Sequence, residues 1–76
     1  MDTIDKILDR EFPKEVVCRA VTMEHLAAMR EALAVHLPPH SSIEVTRFMN
    51  SIILVVWSPG QGKFSRSCTV HAEQPK

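Results

Sequence analysis

Residues 51–58 read SIILVVWS, and within them Ile52 to Trp57 form the longest apolar run of the chain. That run is far too short to cross a bilayer, and its β-branched content favours a strand over a helix. A strand alternates its side chains, so Ile52, Leu54 and Val56 go to one face while Ile53, Val55 and Trp57 go to the other. Both faces of this strand are therefore apolar. A single layer of helices covers only one of them, so the second face needs a different cover.

Turn signals bound the run on each side. Asn50 precedes it, and Pro59-Gly60-Gln61-Gly62 follows it. Ser42 to Met49 and Lys63 to Ala72 then read as the neighbouring strands of an antiparallel meander. A two-residue turn at Asn50-Ser51 pairs Met49 with Ile52, Phe48 with Ile53 and Val45 with Val56. On that register Ile43, Val45, Met49, Ile52, Leu54 and Val56 share one face, and Phe48, Ile53, Val55 and Trp57 share the opposite one. A three-residue loop after Ser58 adds Phe64, Cys68 and Val70 to the first face. It also sets Lys63, Ser65, Ser67, Thr69 and His71 beside Trp57 and Phe48. A four-residue loop reverses these assignments, and the three-residue loop is preferred because it leaves one coherent core.

Toward the N-terminus, Asp2 or Thr3 caps a short helix with Ile4, Ile7, Leu8 and Phe12 on one side, and Pro13 cannot continue it. Glu15 to Val21 (EVVCRAV) reads as a strand. Thr22 then caps a helix over Met23 to Leu37 with a stripe of Leu26, Met29, Leu33 and Leu37, ended by Pro38 and Pro39. The expected order is α-β-α-β-β-β. This is an α+β fold in which two helices pack on a four-stranded, mostly antiparallel sheet, in one compact domain over residues 1–76 with a frayed tail from about residue 72.

Composition removes several functional classes. Nine basic and nine acidic side chains give a formal charge of +0, which lacks the broad positive field of a protein that coats nucleic acid or anionic membrane. Residues 1–38 hold seven acids and five bases, and residues 39–76 two and four, too small an asymmetry to steer a partner. Three aspartates within Met1 to Arg10 leave no secretory apolar segment, so the reading is a cytoplasmic protein without a membrane span. In that setting Cys18 and Cys68 are expected as reduced thiols.

The chemical motifs fare poorly. Gly60-Gln61-Gly62-Lys63 lacks the glycine frame, the Ser or Thr after the Lys and the following helix of a phosphate loop. Among Cys18, Cys68, His25, His36, His40 and His71 no pair has zinc-ligand spacing, since His36 and His40 straddle two prolines and Cys68 and His71 point to opposite strand faces. No base adjoins either thiol, and the acids gather on the outer faces of the helices. Glu44 approaches Trp57 across the hairpin, where a structural acid is the ordinary reading. No catalytic residue, metal or cofactor is implied.

What remains is the second face of the central strand. Phe48, Ile53, Val55 and Trp57, with Lys63 at the border, form an apolar patch of a kind that small monomers seldom leave wet, unless the first helix crosses over to cover it. The expectation is a non-enzymatic protein-binding module, an accessory subunit or small inhibitor that occludes a site on a larger protein, or a homodimer. The alternative is single-stranded nucleic-acid binding, with Trp57 stacking on bases and Arg47, Lys63 and Arg66 meeting phosphates.

Overall fold

The computed structural model describes residues 3–72; the expected frayed tail and the alternative cap at Asp2 lie outside them. The chain runs α1 (Ile4–Glu11), β1 (Glu15–Cys18), α2 (Met23–Ala34), β2 (Ser42–Phe48), β3 (Ser51–Ser58) and β4 (Gly62–Ala72). The Thr3 hydroxyl caps α1 by accepting from the Lys6 amide at 3.3 Å. At the head of α2 a capping box forms, with Thr22 Oγ1 accepting from the His25 amide at 3.2 Å and His25 Nδ1 accepting from the Thr22 amide at 3.1 Å. A histidine here does what Glu or Gln ordinarily does at that position.

Two elements stop earlier than expected. α2 ends at Ala34 rather than Leu37, and the last turn tightens so that the His36 and Leu37 amides donate to the Leu33 and Ala34 carbonyls. Pro38 disfavours helical geometry in the residue before it, which explains the early stop. β1 ends at Cys18 rather than Val21. Cys18 pairs with Ala72, the last described residue of β4, and Arg19 to Val21 lead the chain from the sheet to α2.

The sheet order is β1-β4-β3-β2, with β2, β3 and β4 an antiparallel meander and β1 parallel to β4. Helix α2 thus carries the chain from one sheet edge to the other, and the meander returns to close beside β1. The β3–β4 loop has the expected three residues, Pro59 to Gln61, so Ser58 pairs with Gly62, Val56 with Phe64 and Ile52 with Cys68. Gly60 (φ 77°) and Gly62 (φ 96°) adopt a conformation that side-chain-bearing residues avoid, and the turn depends on them.

The β2–β3 register corrects the expectation by two residues. The turn is Met49-Asn50, so Phe48 faces Ser51, Thr46 faces Ile53 and Val45 faces Leu54. β4 is the cause. Ser51 is paired on its other side with Thr69, and the Val70 amide donates to the Asn50 carbonyl at 2.7 Å, which draws Ser51 out of the turn and into the strand. A two-residue slip preserves every face, so the two apolar sets survive it, with one exception. Met49 leaves the core face for the turn, where it takes φ 55° and is 77% exposed.

Both helices lie on one side of the sheet. Ile4, Ile7 and Leu8 of α1 and Leu26 and Leu33 of α2 pack with Ile52, Leu54, Val56, Cys68 and Val70 in one core. α1 sits over β4 and α2 over β2. Arg66, projecting among the core-side residues of β4, pins α1 by donating to Asp5 at 2.7 Å and Asp9 at 3.1 Å, carboxylates one helical turn apart. At the top of β3 the fully buried Ser58 hydroxyl lies 2.7 Å from the Ser41 hydroxyl, which itself donates to the Pro38 carbonyl. Ser58 therefore donates to Ser41, and the buried chain of hydroxyls is satisfied.

Candidate functional site

With both helices on one side, the other side of the sheet carries no element among the described residues. Its layout follows from the pairing register. Ser42, Trp57 and Lys63 form one row; Glu44, Val55 and Ser65 the next; then Thr46, Ile53 and Ser67; then Phe48, Ser51, Thr69 and Glu15. Val17 and His71 lie beyond as a pair. Trp57 is 50% exposed, Phe48 68% and Val17 71%. Ile53 and Val55 are half-buried by their neighbours within the sheet.

The columns differ in height. β3 contributes the bulky Ile53, Val55 and Trp57, while the adjacent β4 contributes the small Ser65, Ser67 and Thr69. A ridge and a trough therefore run side by side along the strands. Charge stays at the border: Lys63 stands next to Trp57, Glu44 faces Val55 from the β2 edge, and Glu15 Oε1 lies 3.2 Å from His71 Nε2 near the β1 edge.

Phe48, Ile53, Val55, Trp57 and Lys63 thus lie together on this open face. Arg47 and Arg66 do not join them. Arg47 pairs with Ile52 and Arg66 with Leu54, both core-side positions. The Arg47 Nε donates to the Met49 carbonyl at 3.0 Å, and Arg66 is held by Asp5 and Asp9. The bond to Asp5 is the main reason the Arg66 guanidinium holds its proton more tightly than usual. Lys63 is consequently the one expected phosphate contact beside Trp57. Val17 and Glu15 belong to the face but escape sequence reasoning, since their membership depends on β1 lying parallel to β4.

On the helix side, a groove of about 440 Å³ opens between the end of α1, β1 and α2, lined by Phe12, Val16, Val21, Met29 and Leu33. Glu11 also lines it, its Oε1 3.6 Å from His36 Nε2. Both thiols are free. Cys68 is fully buried, and burial first, with the charge of Glu15 second, pushes its pKa up, which keeps the thiol protonated and unreactive at neutral pH. Cys18 Sγ donates to the Ala20 carbonyl at 3.0 Å. No group of three His, Cys, Asp or Glu side chains is placed to hold a metal among the described residues, and no helix there is long and apolar enough to cross a membrane.

The strongest chemical capacity of the arrangement is burial. An apolar stripe, edged by hydroxyls and isolated charges, has the make-up of an interface core within a polar rim. Comparison with protein-family models, curated proteins and solved structures finds no match for the chain.

Proposed function

We propose that this chain is a non-enzymatic protein-binding module, an accessory subunit or small inhibitor that lays its open sheet face on a larger protein and occludes a site there. The observation that carries this reading is the stripe of Trp57, Val55, Ile53 and Phe48 on a sheet whose helices both pack on the other side. Aromatic residues in such a patch are a usual source of binding energy, and Trp57 and Phe48 flank Val55 and Ile53 at its two ends. The cationic supply favours a protein over a nucleic acid, because Arg66 is committed to two aspartates on the helix side and Arg47 also projects to that side.

The test is capture from nuclease-treated lysate of the native host, with wild type and Phe48→Ser as baits, both checked for folding by circular dichroism. The expected result is a protein retained near stoichiometrically by the wild type, lost by the variant and still held at high salt, since apolar contacts are little screened. Retention that nuclease abolishes, or that falls steeply with salt as counterion release requires, overturns the reading in favour of nucleic acid.

A further inference from the structure

The geometry points to the groove on the helix side as a binding site for a small amphipathic amine, a short hydrocarbon body carrying an ammonium head. This goes beyond the docking role of the open face and is independent of it. The groove follows from how the helices share the sheet. α1 sits over β4 and α2 over β2, which leaves a cleft walled by Phe12 and Pro13 after α1, by Met29 and Leu33 of α2, and by Val16 and Ile52 of the sheet. Phe12, Leu33 and Ile52 belong to the core, so the cleft reaches apolar surface that a ligand can share. Ala28 and Ala32, exposed and one helical turn apart, also line it, and their small side chains keep it open. Its volume of about 440 Å³ falls in the range of small-ligand sites.

The polar groups of the groove name the head. No lysine or arginine lines it. His25 spends Nδ1 on the Thr22 amide, and Cys18 spends its thiol proton on the Ala20 carbonyl. Glu11 differs from both. Its Oε2 is buried with no hydrogen-bond partner among the described residues. The two basic groups beside the carboxylate, Arg10 Nε at 3.8 Å from Oε2 and His36 Nε2 at 3.6 Å from Oε1, both stand beyond hydrogen-bond reach. An acceptor that has left water without gaining a donor costs stability, and such groups are rare in folded proteins. A donor brought along the groove removes that cost once the carboxylate turns about its last bond. An ammonium brings three donors and the complementary charge, and charge-assisted bonds are the stronger kind. A carboxylate or phosphate head finds no cation in the lining and is repelled by Glu11. The hydrocarbon body lies against Phe12, Val16, Met29 and Leu33.

Titration with n-octylammonium, n-octanol and octanoate tests the inference, read by amide NMR shifts at Val16 and Val21 and by protection of Cys18, which lines the groove, from an aromatic disulfide reagent. Glu11→Gln keeps the shape of the side chain and removes its charge. Ala32→Phe fills the groove from an exposed position outside the core, so its variant folds, as circular dichroism checks. Octylammonium is expected to bind the wild type with a midpoint on the order of 1 mM or below, and about tenfold or more tighter than octanol or octanoate. Glu11→Gln brings octylammonium to within about twofold of octanol without weakening octanol, and Ala32→Phe weakens both about tenfold or more. The site is overturned if none of the three binds at about 10 mM, or if Ala32→Phe binds as the wild type does. The amine is overturned if octanoate binds as tightly as octylammonium, or if Glu11→Gln keeps the wild-type preference. Any of these leaves the open-face reading standing, because capture through Phe48 uses the other side of the sheet.

Discussion

Two faces of one sheet make opposite demands on stability, and the pair Phe48→Ser and Leu54→Ala measures the difference. Leu54 is fully buried between β3 and the helices. Truncating it to Ala opens a cavity in a small core and costs about 2–5 kcal/mol. Phe48 is 68% exposed, so of the ~200 Å² that a phenylalanine buries at most, about 65 Å² is covered in the single chain. At ~25 cal/mol per Å² that is about 1.6 kcal/mol, and unfolded chains already cover part of it, which leaves about 1 kcal/mol. A domain of 76 residues has roughly 4–11 kcal/mol in all, so Phe48→Ser stays folded while Leu54→Ala loses a large share. Urea denaturation reads both, with the sole tryptophan, Trp57, as reporter at the far end of the face. The expected order is a small fall in midpoint for Phe48→Ser at unchanged slope and a large one for Leu54→Ala. Equal losses of 3 kcal/mol or more would refute the reasoning, because Phe48 would then be part of the core of the single chain.

Four further outcomes follow from individual residues. Because burial raises the Cys68 pKa, the stability it contributes is complete below the unfolded thiol range, near 8.5, and is lost as pH rises through the folded value; denaturation midpoints fall above about pH 9 in wild type and stay flatter in Cys68→Ala. The same burial makes Cys68 react with a thiol reagent only as fast as the protein unfolds, while the partly exposed Cys18 reacts directly. Arg66→Ala frees α1 from β4 and costs about 1 kcal/mol, a modest figure because Asp5 and Asp9 are mostly exposed; the cost shrinks in 1 M salt, and the raised Arg66 pKa keeps it constant across the neutral range. Met49→Asn relieves a side-chain-bearing residue held at φ 55° and stabilises the hairpin by about 0.5–1 kcal/mol, read as a raised melting temperature, since Met49 packs against little.

Alternation along β3 carries most of what the chain states openly. It assigns Ile52, Leu54 and Val56 to one face and Ile53, Val55 and Trp57 to the other, and those assignments hold whatever the neighbouring strands do. Register is weaker information. Slipping β2 by two residues leaves every face unchanged, so the hydrophobic pattern cannot choose between turns at Met49-Asn50 and Asn50-Ser51. The choice is made by β4, through Thr69 and Val70, and that lies beyond any local motif. The side on which α1 packs is also invisible to its own stripe, since Ile4, Ile7, Leu8 and Phe12 suit either face. A clue stood elsewhere: Arg66 shares the parity of Phe64 and Cys68, and a cation among core positions needs carboxylates, which Asp5 and Asp9 supply one turn apart.

The candidate face shows the same division between what parity settles and what pairing settles. Phe48, Ile53, Val55, Trp57 and Lys63 are legible together because each follows from alternation and one loop length. Parity also separates Arg47, in step with Ile43 and Val45, from Trp57 across the hairpin, so a cationic border was never available there. Val17 and Glu15 were hidden because β1 gains a position only by lying parallel to β4. Their placement extends the face at one end only. Over the rows that carry Ile53, Val55 and Trp57 the sheet is three strands wide with β3 in the middle, because β1 pairs only from Thr69 onward along β4. At that end Glu15 joins the Phe48 row, and Val17 lies beyond it beside His71. The bulk of the face is thus its central column, flanked by Ser65, Ser67 and Thr69 on one side and by Ser42, Glu44 and Thr46 on the other, which is the layout of an apolar core within a polar rim.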